Sequence, residues 1–270
     1  MTLFLKIVGG VALIYITLAV LLVLFQRKLV FVPDSARILP SEAGLVGVDE
    51  VVLTSSDGHK LYCWYGKAKP LKPTFLMYHG NGGNIADRER KFRFLMEQGY
   101  GVFMLGYRGY GGSEGSPSEE AFVRDATLSY DHLISTGLAR DDIVIYGESI
   151  GTSVAVQVAA KHKARALILE APMNSVTAVA EERYPIFMVR PFLWDRFESD
   201  RFIKNISMPL LVLHGDQDRV IPIELGRRLF DLAPEPKKFV SVPGGHHTDL
   251  YDYPIVDEMV RFLDAHQPER

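Results

Sequence analysis

The chain is poor in cysteine: Cys63 stands alone among 270 residues. An intrachain disulfide is therefore impossible, and so is a cysteine-rich metal site. Charge of one sign is also missing. Thirty Lys and Arg against 33 Asp and Glu give a formal net charge of −3. A nucleic-acid binder needs a basic face or stripe, so that class of partner is excluded. The eight histidines show no H-E-x-x-H or similar ligand spacing. No internal repeat, low-complexity tract or nucleotide-binding glycine motif with its lysine appears, and neither a metal nor a cofactor is expected.

What is there begins with a long apolar run. Ile7 to Phe25 carries no charge, and its only polar side chains are Tyr15 and Thr17. As a helix it would measure about 30 Å, enough to cross a hydrocarbon core. It is long for the apolar part of a cleaved signal, and the exit, Leu-Phe-Gln-Arg-Lys, offers no small-x-small site. It has no polar face, as a surface helix of a soluble core would. The reading that fits is an uncleaved single-pass anchor over residues 1–28, with one domain over 29–270. Lys6 and the α-amine nearly balance Arg27, Lys28 and Arg37, which leaves the side of the domain open.

Beyond a proline-containing connector the pattern changes. Val51–Thr54 and Leu61–Tyr65 flank Ser-Ser-Asp-Gly and predict an antiparallel hairpin. Short apolar runs then alternate with helix-like stretches. The runs are Thr74–Tyr78, Val102–Leu105, Ile143–Tyr146, Ala166–Leu169, Leu210–Leu213 and Lys238–Val242. The stretches are Ile85–Gln98, Ser118–Thr136, Gly151–Lys161, Ile223–Asp231 and Pro254–Ala265. Runs apolar on nearly every position are strands covered on both faces, so the alternation predicts an α/β fold with a mostly parallel sheet flanked by helices. About forty residues between Leu169 and Leu210 break the rhythm. They are aromatic, interrupted by Pro185 and Pro191, and are expected to form an inserted cap over about residues 172–206.

Chemistry concentrates at Gly147-Glu-Ser149-Ile-Gly151, between a buried strand and a small-residue helix. A serine on such a sharp strand-to-helix turn is thrust out in a strained conformation, and the glycines leave room for the close packing behind it. The serine needs a base, and the base an orienter, in chain order Ser, acid, His. Two aspartates follow the next-to-last strand, Asp216 and Asp218. Two histidines follow the last, His246 and His247, beside Gly244 and Gly245. His79-Gly-Asn81-Gly-Gly-Asn84 is expected to supply an oxyanion donor, the backbone N–H of Asn81, beside that of Ile150. His79 is expected to shape this loop through a hydrogen bond. Tyr107 and Arg108 fall in a glycine-rich loop, where lining a pocket and packing are equally open roles.

Together, His79-Gly-Asn-Gly-Gly-Asn84, Gly106-Tyr-Arg-Gly-Tyr-Gly-Gly-Ser113, Gly147-Glu-Ser-Ile-Gly151, His214-Gly-Asp-Gln-Asp218 and Gly244-Gly-His246 resemble the Bem46 family of membrane-anchored α/β-hydrolases, related to protein depalmitoylases and esterases. The resemblance spans roughly residues 31–263. It implies the α/β-hydrolase fold and a catalytic set of Ser149, Asp218 and His246, leaving His247 to face solvent or cap a helix. The expected activity is hydrolysis of a carboxylic ester or thioester through an acyl-enzyme. The anchor and the aromatic cap point to a lipid or acyl-protein substrate, with membrane lipid around the anchor. Two other readings stand beside it: a serine peptidase holding a peptide terminus on Glu181 and Glu182, and a non-catalytic membrane-bound scaffold on the same fold.

Overall fold

A computed structural model describes residues Met1–Gln267. In chain order, α1 (Thr2–Val30) leads into β1 (Val32–Pro33), β2 (Val48–Thr54), β3 (Lys60–Gly66), β4 (Thr74–Tyr78), β5 (Gly82–Gly83), α2 (Glu89–Glu97) and β6 (Gly101–Leu105). Then follow α3 (Glu119–Ser135), β7 (Ile143–Glu148), α4 (Ile150–Ala159), β8 (Ala166–Glu170), α5 (Val176–Arg183) and the one-turn α6 (Ser199–Phe202). β9 (Leu210–Gly215), α7 (Ile223–Leu232), β10 (Lys237–Val242) and α8 (Ile255–Ala265) close the chain.

Eight strands form one sheet in the order β2-β3-β6-β4-β7-β8-β9-β10. β2, β3 and β6 pair antiparallel, and from β6 to β10 every pairing is parallel. β4, β6 and β8 are buried at every position, as their unbroken apolar runs require. Alternate residues serve opposite faces. Leu76, Phe103, Ile145, Leu167 and Val212 pack into a core with α3, α4 and α7. Phe75, Val102, Val144, Ile168 and Leu211 pack into a second core with α2 and α8. The α/β fold and its mostly parallel sheet are thus as the strand pattern predicts, and the sheet order is that of the α/β-hydrolase fold the resemblance implies. The N-terminal helix is long and apolar enough to cross a membrane by length and composition.

Local signals place the helices. The Ser118 hydroxyl accepts the Ala121 N–H at 3.2 Å, starting α3 at the head of the expected Ser118–Thr136 stretch. Ser175 does the same for α5 through the Ala178 N–H at 3.0 Å. Between β8 and β9, α5 and α6 are joined by turns and extended chain. This segment lies along α1 rather than standing alone. Arg27 donates to Asp195 at 2.7 Å, and the same carboxylate accepts the Glu119 N–H at the start of α3 at 2.8 Å. Directly after α1, Val32 and Pro33 pair in parallel with Gly82 and Gly83, so the chain leaving the helix is stitched to the loop that follows β4.

Candidate active site

Ser149 sits between β7 and α4 at φ 53° and ψ −120°, a left-handed setting that costs a non-glycine residue energy. The turn is held by close packing. A Cβ on Gly151 would collide with the carbonyl oxygens of Tyr78 and His79, and one on Gly147 with the backbone of Gly151 and Thr152. The Ser149 N–H donates to the Glu170 carbonyl at 2.9 Å, tying the turn to the end of β8.

Three side chains from three loops meet there. The Ser149 hydroxyl is 3.0 Å from Nε2 of His247, and Nδ1 of His247 is 2.7 Å from Oδ2 of Asp218. The other oxygen of Asp218 accepts the N–H groups of Val220 and Ile221 at 2.8 and 2.9 Å. Nε2 of His214 lies 3.4 Å from Oδ2. Burial alone would raise the Asp218 pKa. The hydrogen bonds from His214 and His247 outweigh it and hold the carboxyl well below the usual range. Asp216, the competing aspartate, structures the turn instead, accepting the Gly244 N–H at 2.8 Å.

The expectation that His246 would meet Ser149 and Asp218 is corrected: its neighbour His247 does. The His246 ring is exposed, with Nδ1 3.0 Å from the Gln217 carbonyl, and its N–H donates to Asp249 at 2.7 Å. The cause is local. Gly244 has φ +76°, and Gly245 passes so close to Gly215 that a Cβ on Gly215 would strike the Gly245 carbonyl. The chain crosses the end of β9 on its backbone, His246 leaves outward, and His247 turns in. The signal in the sequence is Asp249, three residues on, which accepts the His246 N–H and closes the turn.

In the loop after β4, His79 makes the expected structural hydrogen bond. Nδ1 of His79 is 2.8 Å from the Gly80 carbonyl, and burial, helped by the Arg88 charge, lowers the His79 pKa to about 3. The Asn81 carbonyl accepts from the Tyr110 hydroxyl at 2.7 Å and from the Val32 N–H at 3.1 Å, and its side chain donates to the Val30 carbonyl at 2.9 Å. Ile150 opens α4, so its N–H has no intrahelical partner. Tyr107 and Arg108 take the packing role. The Tyr107 ring stacks on Phe122 with centroids 3.9 Å apart, and Arg108 forks onto the buried Asp125 at 2.7 and 2.8 Å.

A group invisible in the sequence lies behind the serine. Glu148 receives Arg88 at 3.0 Å and Lys91 at 2.7 Å, and Lys91 also reaches Glu170 at 2.7 Å. Glu148 and Glu170 are thus clamped where their backbones hold Ser149. Burial would raise the Glu148 pKa, but the Lys91 and Arg88 charges bring it far below the usual carboxylate range. Burial would likewise lower the Lys91 pKa, and the two glutamates drive it up instead.

Comparison with known proteins agrees with this fold. Residues 69–194 match the family model described as serine aminopeptidase, S33. The α/β-hydrolase domain-containing protein WAV2 of Arabidopsis thaliana is 33% identical, over 93% of this chain and 91% of that protein. The lysophosphatidylserine lipase ABHD12 of Danio rerio is also 33% identical, over 76% of this chain and 62% of that protein. Among solved structures, the esterase Pf2001 of Pyrococcus furiosus superposes with a TM-score of 0.69 at 17% identity, covering 88% of this chain and 98% of that one. The fold, the strand-to-helix turn and the full-length relative lead to one conclusion: the chain belongs to the α/β-hydrolase family.

Proposed function

We propose that the protein is a membrane-anchored serine hydrolase that cleaves long-chain carboxylic esters or thioesters through an acyl-enzyme. The observation that carries this is the unbroken hydrogen-bonded path from Ser149 through His247 to Asp218. In the reaction, Ser149 attacks the acyl carbonyl as His247 takes its proton. Asp218 holds the ring in the tautomer that presents a free Nε2 and stabilises its charged form. The N–H groups of Asn81 and Ile150 receive the developing oxyanion. His247 returns the proton to the leaving alcohol or thiol, and water activated by the same ring releases the acid. Residues 1–28 act as the anchor, 29–270 as the catalytic domain, and 172–206 as its cap. The motifs around these residues support the narrower placement in the Bem46 group, and the esterase and lipase relatives support an ester substrate.

A fluorophosphonate probe, which labels activated serines, tests the reading. The purified full chain is expected to label. Ser149→Ala and His247→Ala are expected to abolish labelling, and His246→Ala to keep it. Labelling that survives Ser149→Ala, or a folded wild type that does not label, overturns the proposal.

The peptidase reading is favoured by the description of the matching family model. Against it, Glu181 is already spent on Arg190, at 2.9 and 3.1 Å, rather than free to hold a peptide amine. Turnover of aminoacyl amides faster than of acyl esters would reverse the preference.

A further inference from the structure

Helix α1 is fastened to the β8–β9 segment at two heights. Near its end, Gln26 is buried. Its amide donates to the Phe192 carbonyl at 3.1 Å and its oxygen accepts the Trp194 N–H at 2.8 Å. Higher up, the Tyr15 hydroxyl donates to the Ile186 carbonyl at 3.0 Å, and its ring stacks on Phe187 with centroids 5.2 Å apart.

Between and beside these contacts the helix and the segment enclose a groove of about 490 Å³. Ala19, Val23 and Val30 line one side, and Val176, Ala180 and Phe192 the other. Among the described residues on its wall none is charged, and only Tyr15, Gln26 and Tyr184 carry a polar side-chain group. Two of those three spend that group on the backbone of the segment.

Both ends of the groove bear on its use. Its wall runs from Tyr15 to Val30, about 22 Å along the helix axis. One leaflet of hydrocarbon is roughly 15 Å deep. The outer end at Tyr15 falls in the middle of the apolar run that would lie in hydrocarbon. Ser149 is not on the groove's wall, but the inner end is tied to the loops beside it: the Val30 carbonyl is held by the Asn81 side chain, and Val176 begins the helix that follows Glu170, whose carbonyl holds the Ser149 N–H. The groove therefore leads from hydrocarbon toward the two loops around Ser149.

We propose that this groove is the acyl-chain site, and that α1 is one wall of it. One long acyl chain of a membrane-lipid ester enters beside Tyr15, lies between α1 and α5, and brings its ester carbonyl to Ser149. This rests on Ser149 being the nucleophile, so the test has one arm that needs catalysis and one that does not.

In the first arm, the full chain in lipid nanodiscs is given p-nitrophenyl butyrate and p-nitrophenyl palmitate. Ala180→Trp and Ala19→Trp fill the groove from opposite walls. Each is expected to lower kcat/KM for palmitate at least about tenfold while butyrate turnover and fluorophosphonate labelling stay near wild type. In the second arm, Ser149→Ala is photolysed with a diazirine-tagged palmitate ester of lysophospholipid. The label is expected on peptides holding residues 15–30 or 176–193, and to be lost when Ala180→Trp is added. An unchanged palmitate-to-butyrate ratio in both tryptophan variants, or a label elsewhere, overturns the groove. A wild type that neither turns over butyrate nor labels with fluorophosphonate overturns the nucleophile instead, and the photolabel still reads the groove.

Discussion

His246 and His247 are neighbours in the chain with nothing in common in their surroundings: one ring is exposed against a carbonyl, the other joins a hydroxyl to a carboxylate. His247→Ala is expected to cut ester turnover by at least about 10³-fold, and His246→Ala by no more than a few-fold, measured as kcat/KM. Ser149 was legible because strand, turn and helix fix where it stands, whereas Asp218 was separated from Asp216 only with the help of the family resemblance. The histidine was not, because its side depends on how Gly245 crosses Gly215, and the one local trace of that crossing, Asp249 accepting the His246 N–H, does not by itself say which ring turns in. His79 carries a second consequence. Its folded pKa, lowered to about 3, is well under the value of about 6.5 of an unfolded chain. The unfolded chain therefore takes up a proton first as pH falls. Stability is full above about pH 6.5 and declines toward pH 3, with a loss of roughly 3 kcal/mol from this residue by pH 4. Asp218 and Glu148, both depressed, add to the loss below about pH 4. Urea unfolding at pH 7 and pH 4, with His79→Gln beside the wild type, checks the sign: the variant should lose less on acidification.

At the scale of elements, the strands were the readable part. Two-face burial forces apolar runs, and each run from Thr74 onward became a parallel strand in the central sheet. The β8–β9 segment was readable only as an interruption. Its partner, α1, is some 170 residues away in sequence, and neither shows a periodic face that announces the other. Two predictions belong here. Gly151→Ala drives a methyl into the carbonyls of Tyr78 and His79, and is expected to cost about 3 kcal/mol and to distort the Ser149 turn. Thermal unfolding and fluorophosphonate labelling would both register it. Asp195→Ala removes the acceptor shared by Arg27 and the Glu119 N–H. Arg27 is half exposed, so solvent screens that pair, and the expected loss is about 1–2 kcal/mol, with faster proteolysis between Tyr184 and Arg196.

For the molecule as a whole, α1 has 29 residues, about 44 Å of helix, against roughly 30 Å of hydrocarbon. Its contacts with the β8–β9 segment begin at Tyr15, so only Thr2–Ile14, about 20 Å, lies beyond them, and on the proposed reading part of that segment sits in hydrocarbon beside the helix. The full chain is expected to stay with membranes through high salt and alkaline wash. Deleting Thr2–Phe25 uncovers Met188 and Phe192, which are already partly exposed, together with the apolar wall of the groove. The truncated protein is expected to aggregate or bind vesicles rather than behave as a monomer, as light scattering would show.

Val32 pairs with Gly82 only two residues after α1 ends, so there is no slack between that helix and the loop beside Ser149. A catalytic domain on a long tether can sample the solution; with α1 in a bilayer, as proposed, this one would be held at a set height and tilt. Its encounters with an ester in the bilayer are then collisions in a plane, counted per area of membrane rather than per litre. Turnover of such an ester should fall when inert lipid is added at constant total substrate, because the reactant has been thinned within two dimensions.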